Sequence, residues 1–382
     1  MAREFRIDRD LVLECARALV RAPSENPPGD ERAVADQAAR FAREAGLDVQ
    51  IVQTAPSRCN VVATLDSGRP GRTLLWNGHI DVVPVVDAAR WMHPPFEAVV
   101  EGGILHGRGS ADMKGACAAA IAAAAALKQA GLPGSGRLTL HLVADEEVLG
   151  PHGTTALYER GMAAADAAIV GEPTDLSVAI AERGMVWVVA RTKGVAAHGS
   201  RPDLGRNAIE EMARLIPALR AIVSPLEHPL LGTPTLNIGT IHGGAKINIV
   251  PDACEIEIDR RRLPGESHED VLTQMHAAAA AAGVEATFEI IHSAEPCECD
   301  EDAEIVQLAR AAHQAVRGSA AAISGMTGVT DAHTLQGIAK IPTIILGPGS
   351  LAQAHTVDEW VRVDDLGDAA EMYARIAADF LA

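Results

Sequence analysis

Aromatic residues and positive charge are both scarce in this chain. Only 3% of the 382 residues are aromatic, and 33 Lys and Arg face 51 Asp and Glu, so the net charge is −18. A chain with few rings to stack bases and no excess of basic residues is unsuited to binding nucleic acid. A basic membrane-surface role is disfavoured for the same reason. We therefore expect neither a nucleic-acid partner nor a membrane partner.

The chain also lacks a long apolar run. The longest run, from Cys117 to Leu127, is mostly alanine and well short of the ~20 residues that cross a bilayer. The N-terminal sequence MAREFRIDRD has charges of both signs and no apolar core, so it does not predict a signal peptide. The only close cysteine pair, Cys297 and Cys299, is a weak metal signal. We expect a cytoplasmic protein with reduced thiols.

The two ends of the chain share one pattern. Short apolar runs of strand length alternate with helical segments, which predicts an α/β domain with a mostly parallel sheet. The predicted helices occupy 8–22, 30–46, 114–130, 301–317 and 364–381, and another helix starts at 331–336. The predicted strands occupy 49–53, 60–65, 73–77, 138–144, 167–171 and 341–346.

The middle of the chain has a different pattern. It predicts strands at 184–193, 235–242, 253–262 and 285–292, with helices at 206–221 and 268–282. That order suits a small α+β domain with an antiparallel sheet. We therefore predict one α/β domain, made of residues 1–182 and 292–382, which is interrupted by a smaller domain of residues 183–291.

Polar residues that can bind metal ions or act in catalysis lie at the ends of the predicted strands. They are His79 and Asp81, Asp112, the run Asp145-Glu146-Glu147, Glu172, and His355. Taken singly, each has an ordinary explanation as a surface residue, a helix N-cap, a solvated acidic loop or a turn residue. The GRGS segment beside Asp112 lacks the full spacing of a phosphate loop. In open α/β sheets, however, strand ends are where binding sites form.

Taken together, these residues predict a metal centre. Two histidines and several carboxylates form the mixed nitrogen and oxygen ligand set of a two-metal hydrolytic site. Such a site needs one carboxylate that bridges the two ions and another, uncoordinated, that takes a proton from the attacking water. A histidine ligand also needs a partner for its second ring nitrogen, and Asp81 could hold His79 in this way.

The motifs resemble those of the M20 zinc aminoacylase and carboxypeptidase family over essentially the whole chain. The resemblance rests on HxD at His79, then GRGSADMKG, DEE, GEPT and GPGxxxxAHxxDE, in that order. It implies two zinc ions, for which cobalt or manganese could substitute. The implied ligands are His79 and Glu172 for one ion, Glu147 and His355 for the other, and Asp112 as the bridge. It also implies that Glu146 is the general base and that Asp81 orients His79.

The same resemblance implies that the inserted domain is a lid and that two copies form a homodimer through it. His198 would reach the partner subunit's active site and stabilise the oxyanion, and Asn248 would contact substrate. Arg261 would bind the substrate carboxylate at two points. Without the resemblance, a hydrogen bond within its own loop explains His198 better. Arg260 and Arg262 should lie on the opposite side of the strand, solvated at the surface.

The expected function is hydrolysis of the amide bond in a small N-acyl amino acid. The final motif, GPGSLAQAHTVDEW, looks most like the acetylornithine deacetylase branch. Succinyl-diaminopimelate desuccinylase and dipeptidase or carboxypeptidase activities are the alternatives, because no side-chain pattern identifies the substrate amine. A non-catalytic binding protein on the same fold would lack a ligand or the base, and this chain has all of them.

Overall fold

The helices and strands follow the predicted segments closely in the computed structural model, which describes residues 6–222 and 226–382. The helices are α1 (Arg9–Val20), α2 (Arg32–Glu44), α3 (Lys114–Gln129), α4 (Thr154–Glu159), α5 (Ala208–Arg220), α6 (His268–Ala281), α7 (Glu304–Arg317) and α8 (Val363–Phe380). The strands are β1 (Asp48–Ala55), β2 (Arg58–Asp66), β3 (Thr73–His79), β4 (Val99–Glu101), β5 (Ile104–His106), β6 (Arg137–Val143), β7 (Ala167–Val170), β8 (Val178–Glu182), β9 (Gly184–Lys193), β10 (Thr235–Gly243), β11 (Ala253–Arg262), β12 (Ala286–Ala294), β13 (Cys297–Glu298), β14 (Ile323–Met326), β15 (Thr343–Ile345) and β16 (Trp360–Arg362).

The chain divides into two units. The first comprises the chain up to Ala181 together with Glu298–Met326 and Thr330–Ala382. The second comprises Glu182–Cys297 and Thr327–Val329. The sequence placed the second boundary at residue 291, but β12 continues to Ala294 and the second unit extends to Cys297.

A nine-stranded mixed sheet forms the centre of the first unit. Its order is β1-β2-β6-β3-β7-β15-β8-β13, and β14 pairs with β8. The four central strands, β6, β3, β7 and β15, run parallel, whereas β1, β2 and β8 pair antiparallel with their neighbours. Every residue of β7 is buried, as expected for a strand covered on both faces. The predicted α/β class is confirmed, with the parallel strands at the middle of the sheet.

Helix α3 lies in the interior of the first unit. All residues from Lys114 to Leu127 are buried, and the helix packs against α1, α8 and β3. A helix that is apolar on all sides is stable only when it is surrounded, and its alanines let the neighbouring elements approach closely. The buried ammonium of Lys114 donates to the carbonyl of Ala22 at 2.8 Å. Because α3 begins directly after Asp112 and Met113, its position determines where the Asp112 loop lies.

The second unit is built on a four-stranded sheet in the order β10-β11-β9-β12. All three strand pairs are antiparallel. Helices α5 and α6 pack on one face, where Val186, Val188, Ile256 and Ile258 are buried in the core. Residues on β11 alternate between buried and more exposed positions, which is the pattern of a sheet covered on one side. This architecture agrees with the predicted α+β class.

Several short elements were not predicted. They include α4, β8, and the three strands β16, β5 and β4, which form a separate small sheet. Strands of three residues are too short to show a period in the sequence. The predicted helix start at 331–336 is occupied by a π-helical turn, His333–Ile338.

Two expectations about the chain as a whole concern membranes and thiols. Among the described residues, no helix is both long enough and apolar enough to span a bilayer. All six cysteines are buried, and none is disulfide-bonded. The predicted cytoplasmic location remains a prediction.

Candidate metal centre

The carboxyl ends of the parallel strands bring the predicted metal ligands together. His79 is the last residue of β3, Glu147 follows β6, and Glu172 follows β7. His355 lies in the loop after β15, and Asp112 lies in the loop before α3. Parallel strands end at a common edge of the sheet, so segments far apart in sequence meet there.

Five side chains form two groups that share one member. The first group is His79, Asp112 and Glu172, and the second is Asp112, Glu147 and His355. Within each group, the candidate ligand atoms lie within 4.8 Å of one another.

The two oxygens of Asp112 face different histidines. Oδ1 is 3.0 Å from His79 Nε2, and Oδ2 is 3.3 Å from His355 Nε2. Glu172 Oε1 lies 3.4 Å from His79 Nε2, and Glu147 Oε2 lies 3.0 Å from His355 Nε2. A carboxylate whose oxygens belong to separate ligand groups has the arrangement that a bridging ligand requires.

The electrostatics of this edge favour bound cations. Burial and the neighbouring Asp112 carboxylate raise the pKa of Glu172 to about 7. Contacts with Asp112 and Glu147 raise the pKa of His355 to about 10. Without metal, protonated imidazoles thus compensate the crowded carboxylates. Divalent cations would replace those protons, and the nitrogen and oxygen donors present suit zinc, cobalt or manganese. The residues therefore fit a two-metal centre.

The imidazole of His79 is oriented by a main-chain group. Its Nδ1 is 2.9 Å from the main-chain carbonyl oxygen of Asp81, so it donates there and leaves Nε2 for a metal. The carboxylate of Asp81 is farther away, with Oδ1 at 3.7 Å from Nδ1. The contact predicted between these two residues exists, but the Asp81 carbonyl makes it in place of the carboxylate.

The Asp81 carboxylate instead holds the loop after β6. Its Oδ1 accepts the amide of Glu146 and its Oδ2 accepts the amide of Glu147, both at 3.2 Å. Asn26 Nδ2 also donates to Oδ2 at 2.8 Å. One buried carboxylate therefore sets the backbone of both adjacent glutamates.

A buried network that the sequence did not reveal supports this loop. Asn26 donates to Asp145 as well as to Asp81, and Arg58 forms ion pairs with Asp145 at 2.9 Å and with Glu31 at 2.5 Å. Burial, and then the charge of Asp81, raise the pKa of Glu31 to about 7. Asn26 and Glu31 belong to the proline-rich loop before α2 and its boundary, where the sequence offered only a turn signal.

Glu146 lies beside the ligands but belongs to neither group. Its Oε2 is 3.9 Å from His79 Nε2, which is longer than the four distances between histidine nitrogens and ligand carboxylates given above. Burial and the charges of Glu172 and Asp331 raise the pKa of Glu146, against the opposing effect of His79. A carboxylate in this environment can accept and return a proton, as a general base must. Its role in catalysis stays a prediction.

Two of the predicted functional residues lie on adjoining loops of the second unit. His198 and Asn248 are both exposed, and the amide of Gly199 donates to the carbonyl of Asn248 at 2.8 Å. His198 Nδ1 accepts the amide of Ser200 at 3.1 Å. The neutral ring then has its proton on Nε2, which can donate to a ligand. This local hydrogen bond is also the one expected without any catalytic role.

The three consecutive arginines of β11 differ in their environments. Arg261 is partly exposed and pairs with Asp259 at 3.0 Å. Arg260 and Arg262 do face the other side of the strand, but the prediction that they are solvated is wrong, because both are buried. Arg260 pairs with Glu266, and Arg262 donates to main-chain carbonyls, including that of Ala294 at 2.8 Å. A buried guanidinium needs such acceptors, so these contacts hold the loop after β11 in place.

Comparison with known proteins identifies the family to which this chain belongs. The profile of peptidase family M20/M25/M40 matches residues 75–379. An N-formyl-4-amino-5-aminomethyl-2-methylpyrimidine deformylase of Halalkalibacterium halodurans is 31% identical over an alignment of 400 positions that covers 94% of this chain and 92% of the relative. An acetylornithine deacetylase of Vibrio atlanticus is 33% identical over an alignment of 353 positions that covers 88% of each chain. A dinuclear metal-binding M20 peptidase from Bacillus subtilis shares the fold, with a TM-score of 0.76 at 17% identity over 98% of both chains.

The family match extends over most of the chain, and the two relatives align along nearly their full lengths. The protein is therefore a hydrolytic enzyme that acts on amides. The resemblance inferred from the motifs is confirmed, and the chain belongs to peptidase family M20/M25/M40.

Proposed function

We propose that the enzyme removes a small acyl group from an N-acyl amino acid, with acetylornithine as the first candidate substrate. The observation that supports this most is the Asp112 carboxylate shared between two candidate ligand groups, with Glu146 beside them but in neither group. That arrangement suits amide hydrolysis by two divalent ions and a separate base. Zinc is the proposed metal, and cobalt or manganese could replace it at the same ligands.

In this proposal, the metal ions would polarise the scissile carbonyl and activate the attacking water. Glu146 accepts the proton of that water and delivers it to the leaving amine. Asp81 supports this division of labour, because it holds the amides of both Glu146 and Glu147 while their side chains take separate tasks. Glu147 would hold a metal ion, and Glu146 would stay outside the ligand set as the base.

The second unit is proposed to recognise the rest of the substrate. Arg261 binds the substrate carboxylate through its planar guanidinium, and Asn248 adds a hydrogen bond. The partly exposed position of Arg261 beside Asp259 leaves part of the guanidinium open to a ligand.

The names of the relatives support a small acyl group. One is a deformylase and the other an acetylornithine deacetylase, so the acyl groups in these names have one or two carbons. The amines in the two names differ, which leaves the formylated aminomethylpyrimidine as a second candidate substrate. Succinyl-diaminopimelate and dipeptides remain the alternatives within the family.

A substrate panel tests this proposal. We expect the zinc-loaded enzyme to hydrolyse N-acetylornithine with a kcat/KM about tenfold or more above that for succinyl and glycyl amino acids, since pocket shape discriminates by such factors. The panel includes formyl derivatives, and the metal content of each preparation is measured by elemental analysis. Preference for succinyl or dipeptide substrates would transfer the assignment to those activities. A metal-loaded protein that hydrolyses no member of the panel would contradict the proposal.

A homodimer formed through the second unit is part of the proposal. Strand β10 lies at the edge of its sheet, where unpaired backbone groups favour pairing with another chain. Exposed isoleucines lie on and near this edge, at Ile241, Ile247 and Ile249. Such a surface supports association between two copies. In that dimer, His198 donates from Nε2 to the oxyanion in the partner subunit's site.

Mixing two inactive variants tests the shared site. Neither His198→Ala nor Asp112→Ala should be active alone, but one complete site forms in a mixed dimer. Equimolar mixing should restore about a quarter of the wild-type activity. About half of randomly assorted dimers are mixed, and each mixed dimer has one complete site out of two. Differently tagged subunits verify exchange, and a His198→Ala/Asp112→Ala double variant mixed with wild type controls for simple dilution. Absence of recovery under verified exchange would contradict a role for His198 across the dimer.

A further inference from the structure

The side chain of Glu359 lies outside both ligand groups, yet it contacts the loop that contains Asp112. Glu359 is fully buried and lies four positions after His355, on the same segment. Its Oε1 accepts the amides of Ala111 and Asp112 at 2.9 and 3.0 Å. Its Oε2 accepts the amide of Gly109 at 3.0 Å and a guanidinium N–H of Arg108 at 2.7 Å.

These four hydrogen bonds determine the shape of the Asp112 loop. A buried carboxylate is costly unless its oxygens are hydrogen-bonded, and here each oxygen has two donors. Three of the donors are main-chain amides, so the contacts constrain the backbone itself. Asp112 is thus held at its amide by Glu359 while its carboxylate faces His79 and His355.

The same segment provides a ligand and this support. His355 approaches the Asp112 carboxylate, and Glu359 holds the Asp112 backbone. The main-chain carbonyl of Glu359 also accepts the amide of Gly107 at 2.9 Å, which adds a contact at the start of the loop. Small errors in ligand position weaken metal binding strongly, and a bridging ligand transmits its error to both ions.

We propose that Glu359 is a positioning residue that places the Asp112 carboxylate and thereby sets the affinity for both metal ions. This inference rests on the two-metal centre of the proposed function. Glu359 belongs to neither ligand group; it acts through the backbone of the loop that contains Asp112.

The variant Glu359→Gln is the most direct test. Whichever way the new amide is oriented, its NH₂ group replaces an oxygen that accepted two donors, so two hydrogen bonds are lost without a large change in volume. Outer-shell changes of this kind lower metal affinity by about 10–100-fold. We expect that loss for both ions, measured by equilibrium dialysis with zinc and with cobalt, and a changed visible spectrum of the cobalt protein.

A second buried arginine–glutamate pair provides the matched control. Arg260 and Glu266 pair at 2.6 Å in the second unit, with a degree of burial similar to that of Arg108 and Glu359. Glu266→Gln therefore removes a comparable charge from a buried pair without touching a ligand loop. We expect it to lower the melting temperature but to leave metal affinity and the cobalt spectrum unchanged.

Hydrogen exchange of the metal-free proteins separates this inference from the proposed function. The amides of Gly109, Ala111 and Asp112 should be protected in the metal-free wild type and exchange faster in Glu359→Gln, but not in Glu266→Gln. This measurement needs neither metal nor substrate. If the wild type bound no second ion, the two-metal centre would be wrong, whereas faster exchange would still show that Glu359 orders the loop.

Two results would overturn the inference. One is wild-type affinity for both ions with an unchanged cobalt spectrum in Glu359→Gln, and the other is an equal loss of affinity in Glu266→Gln. If Glu359→Gln does not fold, Glu359→Asp decides, because it keeps the charge but is one methylene too short to reach all four donors. It should show the same loss of metal affinity, and unchanged affinity in that variant would equally refute the role.

Discussion

Replacing Asp112 with alanine should remove both metal ions and nearly all activity. Its two oxygens face different histidines, so one substitution removes a ligand from each group. Metal ions contribute several kcal/mol of transition-state stabilisation, and each 1.36 kcal/mol is tenfold in rate, so we expect kcat/KM to fall by about 10³-fold or more. Elemental analysis after dialysis and steady-state kinetics measure the two effects.

Asp358→Ala is the matched control for this substitution. Asp358 is also an aspartate and lies three residues after the candidate ligand His355, but its Oδ1 accepts the amide of Met92 at 2.6 Å and it belongs to neither ligand group. We expect Asp358→Ala to retain both ions. An Asp112→Ala protein that kept two ions and its turnover would show that Asp112 is not the bridge.

Glu146→Gln should keep both metal ions and lose turnover. The amide preserves the size of the side chain but cannot accept a proton from water. General acid–base catalysis contributes about 10²–10⁴-fold, so kcat should fall by that factor while metal content stays at the wild-type level. Steady-state kinetics on the preferred substrate, with metal analysis of the same preparation, measure both quantities.

The adjacent residue supplies the sharpest comparison. Glu147 is held by the same Asp81 carboxylate as Glu146, but its Oε2 lies 3.0 Å from His355 Nε2 and belongs to a ligand group. Glu147→Gln should therefore lower metal affinity, in contrast to Glu146→Gln. If Glu146→Gln lost metal, Glu146 would be a ligand, and if it kept normal turnover, another group would have to be the base.

The main elements of the fold could be predicted because their signals are local. Strands β9 and β11 begin and end at the residues expected from the sequence, and α3 begins at the predicted Lys114. Apolar periodicity and the glycine and proline residues around these segments determine their type and length. The short strands β4, β5 and β16 were missed, since three residues show no period and their pairing depends on partners elsewhere in the chain.

The environments of charged residues were the hardest features to predict. Arg260 and Arg262 are charged and were expected at the surface, but alternation along β11 places them on its buried face. Their burial is possible because acceptors from the following loop and from the end of β12 come together there. The Ala294 carbonyl lies 32 residues beyond Arg262, so the sequence around the arginines does not indicate that this acceptor is present.

The sequence by itself determined the α/β class, the inserted α+β region, and the chemical types and order of the candidate ligands. These follow from local patterning and from motifs of adjacent residues. Only the tertiary structure decided which oxygen of Asp112 faces which histidine, that the Asp81 carbonyl orients His79, and that Glu359 holds the Asp112 loop. Apart from the contact between His79 and Asp81, which are two residues apart, these contacts join segments that are far apart in the chain, and they form where the parallel strands end at one edge of the sheet.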